Sequence, residues 1–192
     1  FQSPPMAQNI KVAVRVRPFL PREAGENCVV GMQGNTTTIT VEGAPKSFGF
    51  DYSFWSHDPT DSRFAGQEEV YNELGAPVLM SGMQGFNGCL LAYGQTGSGK
   101  SHSMVGYGEE PGVIPRLVDH LFRELEAARD RGDELKVWVS FLELYNEKIH
   151  DLLYAGKEEA HDLLAREHPK LGVYVPGLTE GVVTAAGDVQ KL

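Results

Sequence analysis

Strict alternation of apolar and polar residues opens the chain, and it predicts a first strand. The alternation runs from Ile10 to Arg17 and stops at Pro18, which cannot donate a backbone hydrogen bond to a sheet. Two further short strands are predicted at Thr36 to Val41 and at Ser47 to Phe54, because both are rich in β-branched or aromatic residues and are bounded by Gly or Pro. The N-terminal quarter of the chain is therefore expected to be mostly β-structure.

Helical periodicity and one apolar run follow these strands. The pattern from Ser62 to Met83 predicts a helix that is kinked or split at Gly75 and Pro77. The run from Gly88 to Tyr93 is short, apolar and bounded by glycines, which favours a buried strand of a parallel sheet. Cys89 is accordingly expected to be buried in that strand.

Strands and helices also alternate in the rest of the chain. A short helix is predicted from about Lys100, and Pro115 is suited to the first turn of another. A long strand is expected from Leu135 to Tyr145, followed by a helical turn, and a hairpin is expected with its turn at His168 to Gly172. This order of elements predicts an α/β sheet with helices on both faces.

Composition limits the classes of function. With 192 residues, 41% of them hydrophobic, the chain is long enough for one domain with its own core. No run approaches the ~20 apolar residues of a membrane-spanning helix, so no membrane insertion is expected. Cys28 and Cys89 lie too far apart in sequence to suggest a zinc site or a disulfide framework. A net charge of −9 argues against nucleic acid as the main partner. Phe1 to Ser3 resemble a tag remnant and are set aside, which leaves residues 4–192 as the domain.

A glycine-rich segment carries the clearest chemistry. It satisfies the phosphate-loop pattern G-x-x-x-x-G-K-[ST] at every fixed position, with the residues Gly94, Gln95, Thr96, Gly97, Ser98, Gly99, Lys100 and Ser101. Glycines allow the backbone to fold around a phosphate, and the helix that follows directs its positive end at the anion. Lys100 is expected to reach the β- and γ-phosphates, and the Ser101 hydroxyl is expected to bind Mg²⁺.

The end of the first strand is a second candidate site. Arg15 and Arg17 lie on one face of that strand, directly before Pro18. In open α/β sheets, ligands bind beyond the C-terminal ends of strands, so these residues could pack against a nucleotide base. Paired arginines on a strand are also common as surface salt-bridge partners, and the pattern leaves both interpretations open.

Together with these residues, several segments in order resemble the N-terminal part of a kinesin motor domain, and they cover nearly the whole chain. They are "VAVRVRP" (Val12 to Pro18), "FDYSF" (Phe50 to Phe54), "QEEVY" (Gln67 to Tyr71), "NGCLLAYGQTGSGKSHSM" (Asn87 to Met104), "GVIPR" (Gly112 to Arg116) and "LELYNEKIHDLL" (Leu142 to Leu153). The Lys-Ser of the loop and "REHPKLGVYVPGLTEGVV" (Arg166 to Val183) most resemble the kinesin-3 group.

The resemblance implies a fold, ligands and a partner. The fold is a three-layer α/β/α P-loop NTPase with a central, mostly parallel mixed sheet, here incomplete. Arg15, Arg17 and Pro18 line the adenine pocket in this interpretation, and His102, which its position alone would make an exposed helix residue, stacks on the other side of the base. The implied ligands are ATP or ADP with Mg²⁺. Arg166, His168 and Lys170 correspond to a region that contacts tubulin, although a solvated turn explains them equally well.

The resemblance also limits what these residues can do alone. The switch motifs "NxxSSRSH" and "DLAGSE", which organise Mg²⁺ and the attacking water in kinesins, do not occur here, so no catalytic residue is assigned. The implied function is that of a cytoplasmic, cytoskeletal, microtubule-stimulated ATPase that moves along microtubules and carries cargo through other regions. The 192 residues alone are not expected to hydrolyse ATP. A kinesin-like protein that binds without hydrolysis, or another P-loop enzyme, remains the alternative.

Overall fold

The structure, a computed structural model, describes residues 10–156, 163–170, 172–189 and 191. Phe1 to Ser3, which resemble a tag remnant, lie outside the described residues. The chain divides into two compact units, Phe1–Leu117 and Val118–Leu192. Among the described residues, no helix combines the length and the apolar composition needed to cross a membrane.

The first unit contains one parallel strand pair, a three-stranded antiparallel sheet, a small hairpin and a helical segment. Its elements are β1 (Ala13–Val16), a 3₁₀ turn (Pro21–Glu23), β2 (Val30–Gln33), β3 (Thr36–Val41), β4 (Ala44–Gly49), β5 (Tyr52–Trp55), α1 (Gln67–Val70), a π-helical turn (Tyr71–Gly75), α2 (Ala76–Met83), α3 (Lys100–Met104), β6 (Gly106–Tyr107), β7 (Glu110–Pro111) and the first residues of α4 (Val113–Asp130).

Parallel pairing of β1 with β5 brings the end of the first strand next to the core of this unit. Arg15 lies opposite Phe54 in the register, and Phe54 is buried with Ala65, Val70 and Tyr71. Residues paired in register direct their side chains to the same face of a sheet, so Arg15 lies on the same face as Phe54, beside this core. The core therefore holds β1 in place through β5, which pairs with it.

The predicted helix from Ser62 begins later, at Gln67, and contains a π-helical turn. Gly66 precedes it in an extended conformation, with φ −82° and ψ −172°, so the residues before it cannot continue the helix. A Cβ on Gly75 would lie 2.6 Å from the ring of Tyr71, which explains why glycine occupies the end of the π-helical turn. The interruption that Gly75 and Pro77 predict is therefore present as a π-helical turn within a continuous helical segment.

The prediction of a buried strand from Gly88 to Tyr93 is wrong for this structure. The segment has no regular secondary structure, and Leu91 and Tyr93 are 82% and 96% exposed. A strand needs a hydrogen-bonded neighbour, and no described residue pairs with this segment. Cys89 is exposed rather than buried for the same reason.

The second unit packs the rest of α4 against a strand pair. Val118, Phe122 and Leu125 of α4 form a buried cluster with Val183. Its strands and last helix are β8 (Val137–Val139), β9 (Leu142–Tyr145), β10 (Lys148–Asp151), β11 (Arg166–His168), β12 (Gly172–Tyr174), β13 (Gly181–Val183) and α5 (Ala186–Val189).

Two hairpins of the second unit test the sequence predictions in opposite ways. The long strand expected from Leu135 to Tyr145 is divided into β8 and β9, and the helical turn expected after it is wrong, because β9 and β10 form an antiparallel hairpin. The hairpin of β11 with β12 is confirmed, although Leu171 in its predicted turn lies outside the described residues. In the first unit, the single strand expected from Ser47 to Phe54 is divided between β4 and β5.

Candidate nucleotide-binding site

Glycines shape the loop that precedes α3. Gly94, Gly97 and Gly99 have φ values of 152°, 80° and 97°, a region that other residues rarely adopt. A Cβ on Gly94 would lie 2.5 Å from Ser98 Oγ, so the close approach of the two ends of the loop requires glycine there. The N–H of Ser98 donates to the carbonyl of Gln95 at 3.1 Å. The loop is therefore a tight turn that leads directly into the first residues of α3.

Two polar side chains face this turn. Lys100 Nζ donates to the carbonyl oxygens of Gly94 and Gln95 at 2.7 and 2.8 Å, which holds the ammonium group over the loop. Ser98 Oγ is buried and has no hydrogen-bond partner among the described residues. Burying a hydroxyl without a partner costs free energy, so this position suits a ligand that supplies an acceptor.

A cavity of about 640 Å³ joins the loop to the end of β1. Most of the predicted nucleotide-binding residues line it: Arg15, Arg17, Pro18, Thr96, Gly97, Ser98, Gly99, Lys100, Ser101 and His102. Gly94 and Gln95 do not line the cavity and contribute only through their carbonyl groups, which accept from Lys100. The structure thus brings together residues that are 80 or more positions apart in the chain, as the 2.9 Å bond from Arg17 Nε to the Gly97 carbonyl illustrates.

The guanidinium group of Arg15 is held by hydrogen bonds to uncharged side chains. Its Nε donates to Ser56 Oγ at 2.8 Å, and its Nη1 donates to Gln67 Oε1 at 2.7 Å and to Ser103 Oγ at 2.9 Å. Burial lowers the pKa of Arg15, and the negative charge of Glu110 partly opposes this effect. The salt-bridge alternative therefore does not describe Arg15, whose hydrogen bonds connect β1 to α1 and α3. It does describe Arg17, which forms an ion pair with Glu23.

Arg17 is held by a carboxylate at the edge of the cavity. Its Nη1 and Nη2 donate to the two oxygens of Glu23 at 2.7 and 2.8 Å, and the N–H of Leu20 donates to the same carboxylate at 2.9 Å. The hydrogen bonds from Arg17 and Leu20 hold the pKa of Glu23 at about 2. A bidentate pair fixes the plane of the guanidinium group, so its face can present a flat surface.

His102, in α3, also lines the cavity. Its Nε2 is 3.4 Å from Glu110 Oε2, and its ring centroid is 5.8 Å from that of Tyr107. Tyr107 and Glu110 belong to β6 and β7 and also line the cavity. The hairpin of these two strands therefore forms the wall next to His102.

Several residues of this site were not identified from the sequence, among them Gln67, Tyr107 and Glu110, which line the cavity, and Glu23, which binds Arg17. Gln67 and Tyr71 stand in the segment "QEEVY", which carried the resemblance without a role for the glutamine. Glu23 lies only five positions after Pro18, and a carboxylate so close to two arginines could have indicated an ion pair. Tyr107 and Glu110 lie in a short segment whose pairing only the folded chain defines.

The three residues predicted to contact tubulin lie together on one hairpin of the second unit. Arg166 and His168 belong to β11, and Lys170 follows in the turn, where its N–H donates to His168 Nδ1 at 3.2 Å. All three are exposed. No group of three or more His, Cys, Asp or Glu residues within the described part of the chain could hold a metal ion.

A glycine cradle that leads into a helix, beside the end of a parallel strand, defines a P-loop nucleotide-binding domain. The family model described as "Kinesin motor domain" matches residues 15–192. The chain belongs to the kinesin motor domain family. The α/β class predicted from the sequence is confirmed, although its strands form six small sheets in the described residues.

Curated relatives agree with this assignment. The chain is 46% identical to the kinesin-like protein KIF13A of Homo sapiens over 195 residues, 44% identical to KIF1C of Homo sapiens over 193 residues and 41% identical to kinesin-related protein 1 of Dictyostelium discoideum over 202 residues. These alignments cover 95%, 96% and 96% of this chain but only 11%, 17% and 9% of the relatives. The similarity to the kinesin-3 group is confirmed by KIF13A and KIF1C.

Solved structures of a related motor share the fold. A structure of KIF14 with ADP in complex with a microtubule has a TM-score of 0.83 and 43% identity, and it covers 95% of this chain and 53% of that one. A KIF14 dimer with AMP-PNP in complex with a microtubule, in a two-heads-bound state, also has a TM-score of 0.83 and 43% identity, with 96% of this chain and 52% of that chain covered. The chain spans about half of these structures.

Proposed function

We propose that this chain is the nucleotide-binding part of an ATP-dependent microtubule motor, a microtubule-stimulated ATPase of the cytoplasm and cytoskeleton. The observation that carries the proposal is the single cavity that joins the glycine loop to the end of β1 and to His102. Family membership supports a motor over another P-loop enzyme, which would explain the loop and nothing else in the chain. The ADP, the AMP-PNP and the microtubule in the KIF14 complexes suggest an adenine nucleotide as the ligand and a microtubule as the partner of this protein.

The residues at the loop fit the phosphate end of a nucleotide. Lys100 holds a positive charge over the glycine turn and is also the first residue of α3. The buried Ser98 hydroxyl, which lacks a partner among the described residues, would gain one from a phosphate oxygen. Gly94 permits the close approach of Ser98 that closes the loop, because a Cβ there would lie 2.5 Å from Ser98 Oγ.

The residues at the end of β1 fit the base end. The guanidinium groups of Arg15 and Arg17 are occupied by hydrogen bonds to protein groups, so they would contact a base with their flat faces. Pro18 adds an apolar surface to the same cavity and His102 adds an aromatic ring. In this proposal the base lies between the arginine side and the His102 ring. Stacking between such surfaces binds any aromatic base, and the dimensions of the slot would then select adenine.

Ser101 lines the same cavity and is the residue proposed to bind Mg²⁺. Bound Mg²⁺ would neutralise phosphate charge during hydrolysis. The chain's own residues bind and orient the nucleotide, and the switch motifs of the family would supply the attacking water. Cargo attachment would likewise belong to other parts of the protein.

The test replaces Lys100 in the full-length protein. Lys100→Ala removes the charge over the loop and is expected to weaken ATP binding about 10- to 100-fold, because hydrogen bonds to charged groups are the stronger ones. Microtubule-stimulated ATP turnover is expected to disappear with it. Lys46→Ala, at an exposed lysine of β4, serves as the control and should retain both activities.

Two results would contradict this function. Unchanged ATP affinity in Lys100→Ala would mean that the phosphates bind elsewhere. ATP binding by the unmodified protein without turnover, at any microtubule concentration, would favour the alternative of a kinesin-like protein that binds but does not hydrolyse.

A further inference from the structure

Gln67 is a buried polar residue that lines the cavity. It is the first residue of α1 and is only 6% exposed. Its Oε1 accepts from Arg15 Nη1 at 2.7 Å, while its Nε2 donates to the carbonyl of His102 at 2.7 Å and to the carbonyl of Glu110 at 3.3 Å. Both amide protons and the carbonyl oxygen are therefore used.

The three partners belong to three different secondary-structure elements. Arg15 lies in β1, His102 in α3 and Glu110 in β7, and they are 52, 35 and 43 positions away from Gln67. Arg15 also connects β1 to α3 directly, by its bond to Ser103 Oγ. Gln67 joins β1 to both α3 and β7.

The chemistry of the partners defines the orientation of the amide. Arg15 can only donate, and the carbonyl groups of His102 and Glu110 can only accept. A glutamine satisfies all three at once in one orientation, and neither a carboxylate nor a thioether can. The bond to His102 also satisfies a carbonyl in the last turn of α3, where the helix itself provides no N–H partner.

We propose that Gln67 is a positioning residue that sets the width of the base slot, the gap between the arginine side of β1 and the ring of His102. Gln67 does not contact the phosphates in this proposal, because its bonds lead to the residues proposed to hold the base. The inference rests on the proposed function, since it takes this cavity as the nucleotide site.

The test compares a complete nucleotide with its phosphates alone. In the full-length protein, Gln67→Met keeps the side-chain volume but removes all three hydrogen bonds. We expect affinity for ATP to fall about tenfold, while affinity for inorganic tripolyphosphate changes less than about twofold, because only the base end is displaced. Gln84→Met, at the exposed glutamine directly after α2 in sequence, is the matched control and should leave both affinities unchanged.

A second variant separates the partners. Gln67→Glu can still accept from Arg15 but cannot donate to the carbonyls of His102 and Glu110. The same selective loss of ATP affinity is expected, because the slot depends on the connection across the cavity. If Gln67→Glu binds ATP like the unmodified protein, the connection to α3 and β7 does not position the base and the proposal is wrong.

A measurement without substitutions covers the case in which both variants fail to fold. Hydrogen exchange at the backbone of α1 in the unmodified protein is expected to slow with ATP and not with tripolyphosphate. Equal protection by the two ligands, or equal losses of both affinities in Gln67→Met, would overturn the inference and leave the proposed function intact. Absence of ATP binding by the unmodified protein would instead contradict the proposed function itself.

Discussion

At the scale of single residues, the charged groups of the cavity are held by partners that belong to the protein. Arg17 is bound by both oxygens of Glu23, and its Nε donates to the Gly97 carbonyl of the glycine loop. Glu23 in turn accepts from the N–H of Leu20. The carboxylate therefore controls the orientation of an arginine that contacts both ends of the proposed nucleotide site.

The ion pair of Arg17 with Glu23 makes a prediction for pH. The pKa of Glu23 is about 2 in the folded chain, below the ordinary value of 4.5. Its contribution to stability is therefore complete above about pH 4.5 and is lost as pH falls towards about 2. We expect the denaturation midpoint of the unmodified protein to fall more steeply over this range than that of Glu23→Gln.

Chemical denaturation at pH steps between 6 and 2 measures this difference, with Glu26→Gln as the neighbouring control. Asp61, whose pKa the side chain and N–H of Arg63 hold at about 2, titrates over the same range and contributes equally to all three proteins. Parallel pH profiles for Glu23→Gln and the unmodified protein would show that the ion pair does not stabilise the fold.

At the scale of elements, the hairpin of β9 and β10 shows how two turn residues override a helical pattern. Asn146 and Glu147 connect the strands, and their φ values of 49° and 64° are those of a type I′ turn. Asparagine tolerates this conformation well, but glutamate does not. The strand pairing compensates for the unfavourable glutamate.

Glu147→Gly is accordingly expected to stabilise the protein by about 0.5–1 kcal/mol, because glycine adopts positive φ without steric cost. Glu143→Gly provides a control of opposite sign, since Glu143 lies within β9, where glycine weakens a strand. Thermal unfolding of the full-length variants measures both. A lower unfolding temperature for Glu147→Gly would mean that the glutamate makes a favourable contact in the turn.

At the scale of the whole molecule, a small cluster of basic residues stands out against an acidic chain. The net charge is −9, yet Arg166, His168 and Lys170 lie exposed on a single hairpin. Complementary charge favours association with an acidic partner such as tubulin. The role of these three residues in microtubule contact remains a prediction.

Charge reversal of this cluster in the full-length protein tests that role. Arg166→Glu with Lys170→Glu is expected to weaken microtubule binding about three- to tenfold at low salt, because exposed charge pairs contribute modestly and are screened. Co-sedimentation at two salt concentrations measures the effect. Arg131→Glu with Lys136→Glu, which reverses the same number of charges elsewhere in the second unit, should bind normally, and equal weakening by both pairs would indicate only a net-charge effect.

The sequence by itself determined the features that depend on short segments. The phosphate loop is complete within the residues Gly94 to Ser101, because its shape needs glycines at fixed spacing and no distant partner. Strand β3 has the bounds that its β-branched residues predict, and the hairpin of β11 and β12 follows from local turn residues. The family resemblance was likewise readable, since its segments are contiguous in sequence.

Only the tertiary structure decided the features that depend on distant residues. It placed Gln67 between β1, α3 and β7, and it brought Arg17 to the Gly97 carbonyl, 80 positions away, because no local pattern encodes the approach of atoms so far apart in the chain. The apolar run from Gly88 to Tyr93 illustrates the same limit in reverse. Its residues favour a strand, but a strand forms only where a neighbour pairs with it, and no described residue does.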